Sequence, residues 1–125
     1  MIIGVDFDGT IVTHEYPDIG DPVPLALATM QELSEKGHQL ILWTMRSDEY
    51  LDEAVKYVEQ NGIKLFGVNK NPEQHTWTKS PKAYCQIYID DAALGCPLTN
   101  YPGTGKRPFV NWVQIRQILT NIGIL

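Results

Sequence analysis

The sequence predicts an α/β domain, with a mostly parallel central sheet covered by helices. Two observations predict it. Short apolar runs alternate with longer segments of helical periodicity, in the order strand, helix, strand, helix, strand, loop, strand, loop, helix. The second is bulk composition: 125 residues, 43% apolar and 20% charged, suit one packed domain over residues 1–125 and argue against disorder.

The first strand lies in "IIGVDFDGTIV", from Ile2, and runs into Asp6 and Asp8 with Gly9-Thr10 just after. An Asp-Gly pair after an apolar run is a common strand terminator, which accounts for Asp8-Gly9. It does not account for Asp6, because a carboxylate in an apolar strand is costly without a partner. Residues 13–22 hold too many Pro, Gly and Asp for a helix and are expected to form a loop. A helix is expected to start near Pro24, with an apolar side of Leu25, Ala26, Ala28, Met30 and Leu33, and to end at Gly37.

Residues 38–44, "HQLILWT", read as a second buried strand. The clearest helix follows. Ser47 or Asp48 caps it, Leu51, Ala54, Val55 and Val58 form its stripe, and Gly62 closes it. "KLFGVN" is a short third strand, and 69–81 is irregular and polar. The fourth strand, 84–90, also runs into acids, Asp90 and Asp91. Residues 92–108 read as loop, and a last helix carries Trp112, Ile115, Ile118 and Leu119 on one side. Trp43 and Trp112 are expected in the core, Trp77 at an exposed rim, and Asn69 and Asn71 in turns.

Net charge is −5 with no Lys/Arg block, which argues against a nucleic-acid or membrane-surface role. No apolar run is long enough to span a bilayer, and the N-terminus lacks the basic region of a secretory signal. Cys85 and Cys96 form no CxxC and have no histidine at zinc spacing. They read as free thiols in a reducing cytoplasm.

In sheets of this kind ligands bind beyond the carboxyl ends of the strands. Asp6 and Asp8, Thr44 and Arg46, Asn69, and Asp90 and Asp91 all fall there. Four converging carboxylates need protons or a cation. An all-oxygen ligand set suits a hard divalent ion, Mg²⁺ by preference, held by Asp6, Asp90 and Asp91. Such an ion commonly bridges protein acids to phosphoryl oxygens. Thr44 offers a hydroxyl, and a lysine of the polar segment offers fixed positive charge.

Four stretches, in order, carry a resemblance: "DFDGT", "LILWT" followed by "MRS", the lysine of "SPK", and the strand ending in "YIDD". They resemble the four motifs of the haloacid-dehalogenase-like hydrolase superfamily, and span Asp6 to Asp91. The combined wording is similar to a small capless branch of uncharacterised bacterial members. The resemblance implies a Rossmann-like three-layer sandwich and a Mg²⁺-dependent phosphomonoester hydrolase. Asp6 would be the nucleophile that forms an aspartyl phosphate, and Asp8 the general acid and base. Thr44 would hydrogen-bond the phosphoryl group, and Lys82 would neutralise charge. Asp6, Asp8 through its backbone carbonyl, and Asp90 would bind the metal, with Asp91 supporting or sharing that role.

Lys79 is the other candidate lysine, although Lys82, eight residues before Asp90, fits the context better. Thr10, Arg46 and His14 are candidate substrate-binding residues. Arg46 either reaches a leaving group or is exposed where the helix begins; His14 and Glu15 either line the entrance or belong to a plain loop. The gaps between motifs leave no room for a cap domain. The site is therefore expected to be open, to a phosphorylated small molecule or a phosphoprotein, unless loops near Tyr16 or Trp77, or a second copy in a homo-oligomer, cover it. A phosphate-binding or phospho-accepting regulatory domain is the alternative reading. Asp8 argues against it, because a stable phospho-switch needs no general base beside its acceptor.

Overall fold

The structure, a computed structural model, describes residues 1–101 and 106–125. Its elements in chain order are β1 (Ile2–Val5), α1 (Ala26–Glu35), β2 (Gln39–Leu42), α2 (Asp48–Gln60), β3 (Gly67–Val68), a 3-10 turn (Gln74–Thr76), β4 (Ile87–Ile89), β5 (Leu98–Thr99), β6 (Phe109–Val110) and α3 (Trp112–Asn121). The first four strands to enter the main sheet lie in the order β3-β2-β1-β4, and every pair is parallel. β1 is central, so Asp6 leaves the sheet between its two neighbours.

Alternation along the strands builds the core on one face. Ile3, Val5, Leu40, Leu42 and Ile89 pack there with Ala26, Met30 and Leu33 of α1, Ala54 and Val58 of α2, and Trp112, Ile115 and Leu119 of α3. Fully burying an aliphatic side chain of this size contributes roughly 1.5–3 kcal/mol. On the other face, a Cβ on Gly4 would meet Cys85 Sγ at 3.0 Å and Tyr88 at 3.2 Å. Both belong to the crossover from β3 to β4 and its strand. The third layer of this Rossmann-like arrangement is therefore that crossover. It is irregular but pinned by two buried amides. Asn71 donates to Tyr84 O and accepts from the Glu73 N–H; Gln74 donates to Ser80 O and Lys82 O and accepts from the Tyr84 N–H.

Several expectations need correction. α1 begins at Ala26, and Leu25 stands before it with φ of 68°. Leu25 and Ala28 are exposed; Thr29 joins Ala26, Met30 and Leu33 on the buried side. In α3 the expected Ile118 is exposed. The stretch 92–108 is not all loop, because β5 pairs antiparallel with β6; its residues 102–105 lie outside the described residues. Among the described residues, no helix is long and apolar enough to cross a membrane.

Candidate functional site

The residues after the strands stay in register. The Asp6 N–H donates to Ile89 O, the Trp43 N–H to Val5 O and the Asn69 N–H to Leu42 O. These bonds bring the ends of β1, β2, β3 and β4 to one edge. Past Asp6 the chain turns sharply: the amides of Thr10, Ile11 and Val12 all donate to Phe7 O. Gly9 makes the turn with φ of +85°, and a Cβ there would meet His14 Nε2 at 2.1 Å and Asp91 Oδ2 at 2.6 Å. Only glycine suits both the backbone and the space. β6 supports this turn, since the Val110 N–H donates to Gly9 O.

Thr10 is fully buried, which corrects the expectation that it faces a substrate. Its hydroxyl donates to Asp6 Oδ2 at 2.8 Å and accepts the Asp91 N–H at 3.2 Å. Trp112, in the core as expected, donates Nε1–H to Thr10 O at 2.7 Å. Thr10 thus orients the Asp6 carboxylate.

Asp6, Asp90 and Asp91 each present a carboxylate oxygen, and these oxygens lie within 4.8 Å of one another. Asp6 is pushed up to about 8. Burial is the main cause, a hydrogen bond with Asp91 adds to it, and the charges of Asp90 and Asp91 contribute less; the Thr10 hydroxyl works against them. A divalent cation would reverse this balance, since three half-buried oxygen donors match the ligand chemistry of a Mg²⁺-like ion. Asp90 Oδ1 accepts the Ala92 N–H at 2.9 Å. His14 Nε2 lies 2.9 Å from Asp91 Oδ2, so His14 contacts the acid cluster itself.

The Asp8 carboxylate does not join the cluster. It turns to Arg46, with Oδ2 2.8 Å from Nε and Oδ1 2.8 Å from Nη2. Arg46 is not exposed where the helix begins: it is only 3% exposed, with its guanidinium on Asp8. Nothing in the sequence pairs Asp8 with a residue 38 positions on; only the parallel pairing of β1 with β2 brings their ends together.

A cavity of about 250 Å³ opens beside the cluster, lined by Asp6, Trp43, Thr44, Met45, Asn69 and Asp90. Trp43, expected in the core, is half-buried and forms part of its wall. Thr44 Oγ1 accepts the Arg46 N–H at 3.2 Å, so the Thr44 hydroxyl proton points elsewhere. Asn69 has φ of 54°, as an asparagine in a turn can, and its Oδ1 also fixes the Thr44 N–H at 2.7 Å. Met45 is fully exposed at the mouth.

Lys82 is exposed, with Nζ 5.6 Å from the centroid of the Tyr88 ring. Among the described residues, no ion pair joins Lys82 or Lys79 to Asp6. Trp77 is exposed as expected, edge-on to Tyr84.

No protein-family model and no curated protein matches the chain. Among solved structures, the chain is similar to a conserved protein from Bacteroides thetaiotaomicron. The two are 36% identical over 98% of this chain and 91% of the other, with a TM-score of 0.79.

Proposed function

For a chain that belongs to the family of this conserved Bacteroides thetaiotaomicron protein, we propose a Mg²⁺-dependent phosphomonoester hydrolase of the haloacid-dehalogenase-like superfamily, working in the cytoplasm. The observation that carries the reading is the threefold acid cluster in which Thr10 aims Asp6 at a cavity shared with Thr44. A Mg²⁺ ion held by Asp6, Asp90 and Asp91 would supply positive charge where phosphoryl oxygens gather.

Asp6 would attack phosphorus as the ester P–O bond breaks, and the leaving oxygen would take a proton from Asp8. Water would then attack the aspartyl phosphate and give its proton to Asp8, releasing phosphate and regenerating the Asp6 carboxylate. Splitting one hard displacement into two makes each easier. Thr44 would donate to a phosphoryl oxygen, and Lys82, after leaving the Tyr88 ring, would offset charge on the same group. His14 would hold Asp91 in place for the ion.

The Arg46–Asp8 pair favours a second reading. With both oxygens of Asp8 engaged, a phospho-accepting domain with little turnover would look the same. Acetyl phosphate separates the two, because its leaving group needs little protonation. With Mg²⁺, a hydrolase should turn it over without accumulating phosphoprotein, whereas Asp8→Asn should accumulate phosphorylated Asp6, read by intact mass with Asp6→Asn as the blank. Wild type that stays phosphorylated for minutes rejects the hydrolase in favour of the phospho-switch. Full activity in excess chelator rejects the Mg²⁺ requirement.

A further inference from the structure

Arg46 stands where three parts of the molecule meet. Its guanidinium donates to both oxygens of Asp8, to Pro17 O at 3.0 Å and to Asp18 O at 2.8 Å. Four bonds commit most of its five N–H donors. The same group lies 5.0 Å from the Phe7 ring centroid and 5.1 Å from that of Tyr16. Its own backbone N–H is held by Thr44. The geometry points to Arg46 as a positioning residue that couples the 13–22 loop to Asp8. One planar fork sets the orientation of the carboxylate and holds the loop against it.

The loop has other attachments, among them the half-buried His14 Nε2, 2.9 Å from Asp91 Oδ2. At its base, the Thr13 N–H donates to Asp21 O and the Asp21 N–H to Thr13 Oγ1. Toward its tip, Tyr16 meets the Tyr50 ring edge-on at 5.7 Å, and Lys106 reaches Glu15 and Asp21 from 3.6 and 3.5 Å at the surface. Surface pairs of that sort contribute little. The buried fork alone joins the loop to Asp8 through several bonds at once, and its planar donors fit a carboxylate and two carbonyls in a way an ammonium cannot copy. A displaced loop should therefore be felt at Asp8, and a displaced Asp8 at the loop. That Asp8 takes part in chemistry rests on the hydrolase reading; the coupling itself does not.

The test uses the full chain, with amide hydrogen exchange at Thr13 and Asp21 and steady-state kinetics on p-nitrophenyl phosphate with Mg²⁺. Arg46→Lys keeps the charge and loses the fork. It should hasten exchange at both amides and cut kcat roughly tenfold to a hundredfold, on the scale of a misplaced catalytic group, with KM changed by no more than about twofold. In Arg46→Ala, low millimolar guanidinium should slow the loop's exchange again and restore part of kcat. An arginine that merely supports the fold would give neither the selective loss in kcat nor the rescue. Asp8→Ala should loosen the same two amides, and it decides the matter if Arg46→Ala does not fold. Wild-type exchange rates in Arg46→Lys and Asp8→Ala overturn the coupling, and undiminished kcat in Arg46→Lys overturns the positioning role. If wild type itself has no turnover, the hydrolase reading fails and the exchange measurements alone decide the coupling.

Discussion

Thr10 Oγ1 donates to Asp6 Oδ2 at 2.8 Å while accepting the Asp91 N–H at 3.2 Å, so one buried hydroxyl ties the acid ending β1 to the acids following β4. Thr10→Val keeps the shape and removes both bonds. The substitution leaves the Asp91 N–H without this acceptor and should cost roughly 1–3 kcal/mol in unfolding free energy. Turnover should fall about tenfold to a hundredfold, as when a group orienting a metal ligand is lost. Denaturant titration and kcat measure the two effects, and wild-type values for both would refute the orienting role.

Metal-free protein should lose stability as pH rises from 3.8 to about 8. Asp6 is raised from 3.8 to about 8, so the folded state binds its proton more tightly than the unfolded chain does. Its contribution is complete below 3.8 and is lost as pH rises through about 8. Asp6→Asn should flatten this fall, and millimolar Mg²⁺ should oppose it by binding only the folded cluster. Melting temperatures of both proteins across this window, with and without Mg²⁺, test it. A parallel pH dependence in the two proteins would show that Asp6 is not the group responsible.

Gly9 leaves no room for a side chain. A Cβ would collide with His14 and Asp91, and its φ of +85° disfavours any other residue by about 1–2 kcal/mol before the collision is counted. Gly9→Ala should lower the melting temperature and also shrink the rise that Mg²⁺ produces, because the displaced Asp91 belongs to the acid cluster and His14 contacts it. An unchanged Mg²⁺-induced rise would separate the turn from the metal site.

Lys82 and Lys79 should differ. Lys82→Ala should cut turnover by about a hundredfold or more, the scale of losing an electrostatic stabiliser near a phosphoryl group. Lys79→Ala should have a much smaller effect. The Lys82 amine starts over the Tyr88 ring, one strand position before Ile89, and would swing from there to the phosphoryl group. Equal and small losses in the two variants would rule out the role assigned to Lys82.

The sequence alone determined the order of the three helices and of the four main-sheet strands, the parallel sheet and the strand ends that gather at one edge. Apolar runs of strand length and amphipathic helices are local properties, and parallel strands send every carboxyl end the same way. Asp6, Thr44, Asp90 and Asp91 were legible for that reason: an acid or hydroxyl at the end of a buried run is visible in the string. The tertiary structure decided which of these groups face one another. Asp8 turns to Arg46 instead of the acid cluster, Thr10 turns inward to Asp6, and Trp43 turns from core to cavity wall. The two amides that pin 69–86, and the β5–β6 pair that supports Gly9, were equally hidden. Specific hydrogen-bond partnerships leave no periodic trace in a sequence. Such pairings exist only once the sheet has set the register and the close-packed core has fixed each side chain's direction.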